Sequence, residues 1–463
     1  MDRREFLKTV GIGGILGGIC GRSLGAGRRR PNILFMFADD QAQSCLGYAG
    51  NKVIKTPNMD RLAEEGVYFE NAFVTTAICC SSRASILTGQ YTRRHGIIDF
   101  HKPLSAEAFA QSYPVLLRKA GYRTGYLGKF AVGWPNRDIR HLSLPADQFD
   151  YWYGFPQVFG FEQKIDGKSR YLTSVMTEKA IDFLRTNPAD KPFCLTIAFK
   201  EPHGPFDYFD PDFPNPYEDL TIPPAKTLTK DAYEKVPGFI RHSLNGTGDK
   251  VGWLANPRSY QKNLKTVYAL ISRMDLAVGQ IMSALRKLGL DDNTIVIWSS
   301  DHGSLLGAHG LKGKWLMYEE SIRIPLIIRD GRQSASRPRR RAGQMALNID
   351  LAPTMLDFAS VPIPAGMQGR SLAPIVAGSG RKLREDFYYE HFYEHKGNIR
   401  PTEGVRTGKF KYVRFPKENP VYEQLFNLSK DPCELEDLAK DADHQATLRS
   451  LRRRCDAYRR QLL

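Results

Sequence analysis

The chain is poor in cysteine, with 7 among 463 residues, no CxxC pair and no cysteine cluster beside histidines. That excludes a zinc ribbon and a disulfide framework, both of which need closely spaced or numerous thiols. No stretch beyond the N-terminus approaches eighteen uninterrupted apolar residues, so the mature chain is expected to carry no integral membrane segment. Internal repeats are lacking, as are low-complexity tracts apart from the basic run Arg337 to Arg341, and collagen-like and coiled-coil readings fall with them. Acidic residues are in deficit: 50 Asp and Glu face 66 Lys and Arg, a formal net charge of +16. A surplus of this size attracts polyanions, and charge alone does not choose among nucleic acid, an anionic membrane surface and a sulfated or phosphorylated glycan.

What is present points first to a compartment. Arg3-Arg4 with Phe6-Leu7-Lys8, a glycine-rich apolar run from Val10 to Cys20 and small residues from Ser23 to Ala26 predict a twin-arginine export signal over residues 1–26. A periplasmic or secreted location follows. Cys20 stands where a lipoprotein cysteine would, but Gly18-Ile19 before it matches a lipidation box poorly. Removing Arg3, Arg4, Lys8 and Arg22 against Asp2 and Glu5 takes four positive and two negative charges from +16 and leaves +14. The basicity therefore belongs to the folded part. Twin-arginine export carries folded chains, so any cofactor or side-chain modification would be installed in the cytoplasm.

Apolar runs rich in β-branched and aromatic residues alternate with helical patterns, the mark of an α/β sheet with crossover helices. Strands are expected at Ile33 to Phe37, Arg123 to Leu127, Phe193 to Ala198, Thr294 to Trp298 and Ile324 to Ile328. Helical spacing from Val267 to Leu285 leads through Gly289 into the Thr294 strand. Residues 201–257 are too irregular for a central sheet and long enough for a lid or substrate loop. After residue 375 the alternation of Phe387 to Phe392 and Val405 to Phe415 predicts a small antiparallel sheet, followed by an arginine-rich helix from about Ala446.

Two strands end in acid. Asp39-Asp40 and Asp301-His302 lie just past the carboxyl ends of apolar strands, where open α/β sheets build their sites. Either group alone is equally a helix cap or a solvated turn. If the strands are parallel neighbours the carboxylates converge, and like charges so placed call for a cation, with hard oxygen ligands favouring calcium or magnesium. The segment Cys79-Cys80-Ser81-Ser82-Arg83 sets a cysteine before what reads as a serine-capped turn opening a helix, a setting that favours an anion. Arg83 adds a charged fork for a tetrahedral oxyanion.

Cys79-x-Ser81-Ser82-Arg83, four residues, then Thr88-Gly89 resembles the type I sulfatase signature, in which a cysteine is oxidised to formylglycine and serves, hydrated, as nucleophile. The resemblance runs from Pro31 to about Leu438. It includes Asp39-Asp40-Gln41, Gly125-Tyr126-Leu127-Gly128-Lys129, Glu201-Pro202-His203-Gly204-Pro205, Ser300-Asp301-His302-Gly303 and Leu311-Lys312-Gly313-Lys314. Asp350 to Thr354, Gln368 to Leu372, Val405 to Thr407 and Leu425 to Leu428 match its closing landmarks.

The resemblance implies an alkaline-phosphatase-like mixed α/β sheet flanked by helices over residues 31–375, with a smaller C-terminal α+β subdomain over 380–463. It implies that Cys79 becomes formylglycine and touches one divalent cation, calcium or else magnesium, with Asp39, Asp40, Asp301 and His302 completing the coordination. Arg83, Lys129 and Lys314 would surround the sulfate, and His203 would meet the leaving oxygen. The partners implied are a sulfated glycan substrate and a formylglycine-generating maturation enzyme, with no nucleic acid.

Three positions depart from the family pattern. Ser81 stands where proline is usual, which bears on recognition by the maturation enzyme. His302 stands where asparagine is common and is a softer ligand. Ala131 replaces a histidine that helps expel sulfate, so either Lys129 or His309 assists or turnover of the intermediate is slow; His309 and His95 otherwise read as structural. A phosphonate or phosphodiester hydrolase of the same superfamily and a glycan-binding pseudoenzyme remain the alternatives to a carbohydrate sulfatase.

Overall fold

The computed structural model describes residues 29–133, 144–156, 160–165, 167–206, 210, 212–247, 256–333 and 340–462. The expected export signal with Cys20, and the start of the basic run at Arg337, lie outside the described residues.

All eight residues of β1 (Asn32–Asp39) are buried, as a strand covered on both faces must be. Ile33, Phe35 and Phe37 enter one apolar cluster, while Leu34, Met36 and Ala38 enter another. The strands that follow are β2 (Val67–Phe73), β3 (Arg123–Lys129) and β4 (Tyr151–Phe155). A hairpin, β5 (Glu162–Ile165) with β6 (Lys168–Tyr171), stands apart from the main sheet. Next come β7 (Phe193–Pro202), β8 (Thr294–Ser300), β9 (Ile327–Asp330) and β10 (Arg340–Leu347). The large sheet has the order β10-β2-β9-β8-β1-β7-β3-β4, with β9 antiparallel to both neighbours and the other pairs parallel. It is therefore mixed.

Helices cover both faces. Helices α1 (Pro57–Glu65), α4 (Leu172–Arg185) and α5 (Pro257–Lys287) supply Met59, Met176 and Ile271 to the cluster around Leu34. Helices α2 (Cys79–Thr88), α3 (Tyr113–Lys119) and α6 (Leu351–Phe358) supply Ala84, Leu117 and Met355 to the other. Helix α5 starts ten residues before the expected Val267, since Tyr260 and Leu264 extend its buried stripe, Pro257 occupies the first turn and the Asn256 side chain accepts from Ser259 N.

The small antiparallel sheet is β11 (Asp386–His391), β12 (Thr402–Thr407), β13 (Phe410–Phe415) and β14 (Tyr422–Asn427), followed by α7 (Gln445–Gln461). The expected segment Val405 to Phe415 is thus two strands folded about Gly408. Phe387, Val405 and Tyr412 share the apolar cluster of the large sheet, and Pro31–Leu463 forms one compact unit. The expected strand at Ile324 instead begins at Ile327, because Pro325 has no N–H to give a ladder. Within 201–257 the chain holds short helices at Lys230–Lys235 and Gly238–Arg241. No helix among the described residues is long and apolar enough to cross a membrane.

Candidate active site

The parallel register of β1 and β8 sets Ala38 opposite Ser300, so Asp39 and Asp301 leave the sheet side by side. The Asp301 carboxylate ties the two exits together. Its Oδ1 accepts from Asp40 N at 3.1 Å and from His302 N at 2.9 Å. Asp40 takes a left-handed φ of 78°, a conformation an aspartate tolerates better than most residues.

Helix α2 begins at Cys79 itself, with Ile78 as N-cap, and no serine caps it. This corrects the serine-capped turn expected from sequence. The Ser82 hydroxyl donates instead to Asp301 O and accepts from Asn348 Nδ2 at 2.9 Å, so it joins the helix to the β8 exit. Cys79 Sγ lies 3.2 Å from Lys314 Nζ, 3.4 Å from His302 Nε2 and 3.5 Å from Asp39 Oδ1. One turn on, Arg83 donates through Nε to Asp301 Oδ2 at 2.8 Å, with its guanidinium over the Phe37 ring.

Lys129 ends β3 and pairs with Asp39. Gly128 makes that exit possible: at φ 98° a Cβ would run into Ala198 O and Met176. Gly128→Ala should therefore cost about 1–3 kcal/mol and displace Lys129, read as a lower Tm together with a raised KM for the substrate. Unchanged Tm and KM would show that the turn tolerates a side chain. Lys314 Nζ donates to Asp40 Oδ1 at 2.6 Å, and the Asn245 amide holds its loop by donating to Lys312 O and Lys314 O at 2.9 and 2.7 Å.

His203 is half-buried. Its Nδ1 lies 3.0 Å from Gly204 O, which can only accept, so the proton sits on Nδ1 and Nε2 is left to accept or exchange. By the same argument His302 donates from Nδ1 to Gly303 O at 3.0 Å and turns Nε2 toward Cys79.

The charges oppose one another at close range. Burial raises the Asp40 carboxyl, yet Lys314, His203 and His302 bring it down to about 2. Asp39 is likewise held well below the usual range, burial being outweighed by Lys129, His203 and Arg83. Burial lifts Asp301 above its ordinary value. Burial pushes His203 down to about 4, while for His302 the pull of Asp301 and Asp40 outweighs burial and leaves it at about 9.

A divalent cation fits this donor set. Ligand atoms of Asp39, Asp40, Cys79 and His203 lie within 4.8 Å of one another, as do those of Asp39, Cys79, Asp301 and His302. Three carboxylates suit calcium or magnesium, and a cation on His302 would take the place of its proton. Because each carboxylate already has a cationic neighbour in Lys129, Lys314 or Arg83, chelation should abolish activity without unfolding the chain. Returning calcium at a hundredfold excess over Kd should then add about 3 kcal/mol of stability, visible as a higher Tm. Full activity in protein shown metal-free by elemental analysis would contradict the site.

The structure thus brings together all nine residues singled out from sequence: Asp39, Asp40, Cys79, Arg83, Lys129, His203, Asp301, His302 and Lys314. His95 and His309 stand apart from them. His95 Nε2 lies 3.0 Å from Ser85 Oγ, and the His309 ring stacks on Tyr318 at 4.2 Å. Burial pushes each down to about 3. Sequence reasoning read Ser82 in the signature and as a cap but missed its contacts with Asp301 and Asn348, and it missed Asn245 and Asn348, which stand in no pattern that announces contacts 67 to 266 positions away.

The family model described as Sulfatase matches residues 31–361, and one described as N-sulphoglucosamine sulphohydrolase, C-terminal, matches 307–461. An N-acetylglucosamine-6-O-sulfatase of Bacteroides thetaiotaomicron is 30% identical, covering 90% of this chain and 84% of its own length. A structure solved in complex with its substrate D-glucosamine-2-N,6-O-disulfate superposes with a TM-score of 0.79 at 27% identity, covering 94% of this chain and 98% of its own. The phosphonate monoester hydrolase of Agrobacterium radiobacter shares the fold, with a TM-score of 0.79 at 24% identity over 94% of this chain and 96% of its own.

Proposed function

The chain belongs to the sulfatase family, and from that premise we propose that it removes sulfate from a sulfated carbohydrate with Cys79, oxidised to formylglycine, as nucleophile. The observation that carries the reading is the convergence on Cys79 Sγ of Lys314 Nζ, His302 Nε2 and Asp39 Oδ1, all within 3.5 Å. A relative named for N-acetylglucosamine 6-O-sulfate and a structural neighbour holding a glucosamine disulfate support a sugar ester as substrate.

Oxidation of Cys79 supplies an aldehyde whose hydrate is the attacking group. It also exchanges a soft sulfur for hard oxygen, which brings the donor set of Asp39, Asp40, Asp301 and His302 into line with calcium or magnesium. A divalent cation held by Asp39, Asp40, Asp301 and His302 would supply Lewis-acid polarisation. The remaining work belongs to the chain. Lys129 and Lys314, with Arg83 behind them, hold the sulfate against its own charge and stabilise the oxygens as charge develops in transfer. Nε2 of His203 delivers a proton to the bridging oxygen as the alcohol departs. Burial disfavours the imidazolium in the free enzyme, and an anionic ester acts in the opposite sense, as Asp40 and Asp39 do. Ala131 moves no proton, and Lys129 at the end of β3 is kept charged because its pairing with Asp39 outweighs burial, so it supports sulfate release as a cation and not as a base.

Twin-arginine export to the periplasm or beyond, after a maturation enzyme has acted on Cys79 in the cytoplasm, completes the reading. Side-by-side rates on an N-acetylglucosamine 6-sulfate, nitrophenyl sulfate and an aryl phosphodiester test it. Faster hydrolysis of the sulfate esters is expected. A phosphodiester preference would make the protein a phosphoester hydrolase, and inactivity of the metal-loaded, oxidised protein on all three would make it a glycan-binding pseudoenzyme.

A further inference from the structure

Beside the cysteine-centred site lies a second cavity of about 670 Å³ that the reaction does not use. Its walls are Tyr171 at the end of β6, α5 from Arg258 to Arg273 and the segment after His203. Helix α5 runs into β8 through one turn and therefore antiparallel to it, so its N-terminal half stands at the sheet edge where Asp301 emerges. Tyr260 on that half donates to Leu306 O, five residues past Asp301. Helix α4 leads into β7 in the same way, which puts Tyr171 at the same edge.

The cavity is joined to the loop of His203 at two points. Tyr171 donates its hydroxyl to Glu201 Oε1 at 2.8 Å, two residues before His203. Phe206, three residues after it, lines the cavity. Three residues span at most about 10 Å, a distance a few linked sugar rings cover.

Its lining has the chemistry of an anionic sugar site. Phe206 and Phe213 offer ring faces, against which the C–H face of a pyranose packs, while Tyr171 is buried, stacked on Phe161 with the Arg273 guanidinium over its ring. Arg258, Lys262, Lys265 and Arg273 bring four cations against two carboxylates, Asp210 and Glu218. One of those carboxylates is already neutralised, since Arg273 Nε donates to Asp210 Oδ2 at 2.7 Å. Arg273 is 7% exposed, and its Nη1 meets no hydrogen-bond partner. Arg258 and Lys262 are exposed and lie four apart, on one face of α5.

We propose that this cavity is a remote subsite, binding a second anionic sugar residue, sulfated or carboxylated, of the same glycan whose scissile ester sits at Cys79. The inference rests on the sulfated-carbohydrate reading above and adds to it a preference for chains over single sugars. The described residues from Phe206 to Glu218 then serve as a substrate-binding wall, joined through the chain to His203.

The test compares wild type with the double variant Arg258→Glu/Lys262→Glu. Both side chains are exposed, and a glutamate at the start of a helix is favourable, so the fold should hold. With a heparin tetrasaccharide as substrate KM should rise about tenfold at unchanged kcat, while KM for glucosamine 6-sulfate stays the same. Equal rises for both substrates, or none for either, would overturn the subsite. If wild type hydrolyses neither sugar, the sulfated-carbohydrate reading has failed, and calorimetric titration with the tetrasaccharide reads the cavity by itself. There a tenfold weaker Kd in the variant supports the subsite and an unchanged Kd overturns it.

Discussion

Replacing Cys79 by alanine should reduce sulfate-ester hydrolysis at least ~10⁴-fold with Tm nearly unchanged, whereas Cys80→Ala should keep its activity. Both thiols are buried and adjacent, so chemistry by proximity alone would not separate them. Geometry does. Cys79 Sγ lies within 3.5 Å of Lys314, His302 and Asp39, while Cys80 Sγ lies 3.8 Å from the Ser81 hydroxyl and enters the apolar cluster with Ala84 and Ile86. Burial pushes the Cys80 thiol up to about 12, which keeps it inert. Losing it should cost stability on the order of 1 kcal/mol through packing. Equal loss of activity in the two variants would sink the assignment of the nucleophile.

The second large effect is a contrast between substrates. A sugar sulfate expels an alkoxide, a far poorer leaving group than a phenoxide, so a proton at the bridging oxygen matters for sugars and little for activated aryl esters. General-acid help is worth ~10²–10⁴ in rate, and His203→Ala should lose about that much on a sugar sulfate yet keep much of its rate on nitrophenyl sulfate. Lys314→Ala, which removes a cation from the sulfate itself, should slow both. The sign of the pH effect follows from burial. Since burial drives His203 down to about 4 in the free enzyme, the acid form is lost as pH rises, and kcat/KM for the sugar ester should fall as pH rises above about 4. That limb should be missing from the aryl ester and from His203→Ala. A uniform slowing of both esters would make His203 a positioning residue.

Much of this was legible in the sequence, and the reasons are local. β1, β8 and the second half of α5 carry buried faces that match the period of their element, so Ile33 to Phe37, Thr294 to Trp298 and Val267 to Leu285 all fall inside observed elements. β4 and β10 were not read: both are edge strands, half-exposed or carrying arginines, and their stability comes from pairing with β3 and β2. The meeting of Asp39 with Asp301 was conditional on a strand order that no periodicity reveals; the paired residues Asn32 and Thr294 are 262 positions apart, yet β1 and β8 pair directly. The N-terminus of α2 was misplaced because Ser81 and Ser82 look like caps, but the Ser82 hydroxyl is claimed by Asp301 O and Asn348. The remote cavity was visible only as an irregular stretch, since its cations belong to α5 and its ring faces to the segment after His203.

The central claim is that Cys79 acts as an aldehyde. The direct measurement is a mass spectrum of the peptide spanning Ala77 to Arg83, taken from the same preparation whose sulfate-ester hydrolysis has been measured. The account predicts formylglycine at position 79, in a fraction that scales with specific activity between preparations, and an unmodified thiol at Cys80. Full activity in a preparation whose Cys79 is wholly thiol would contradict it.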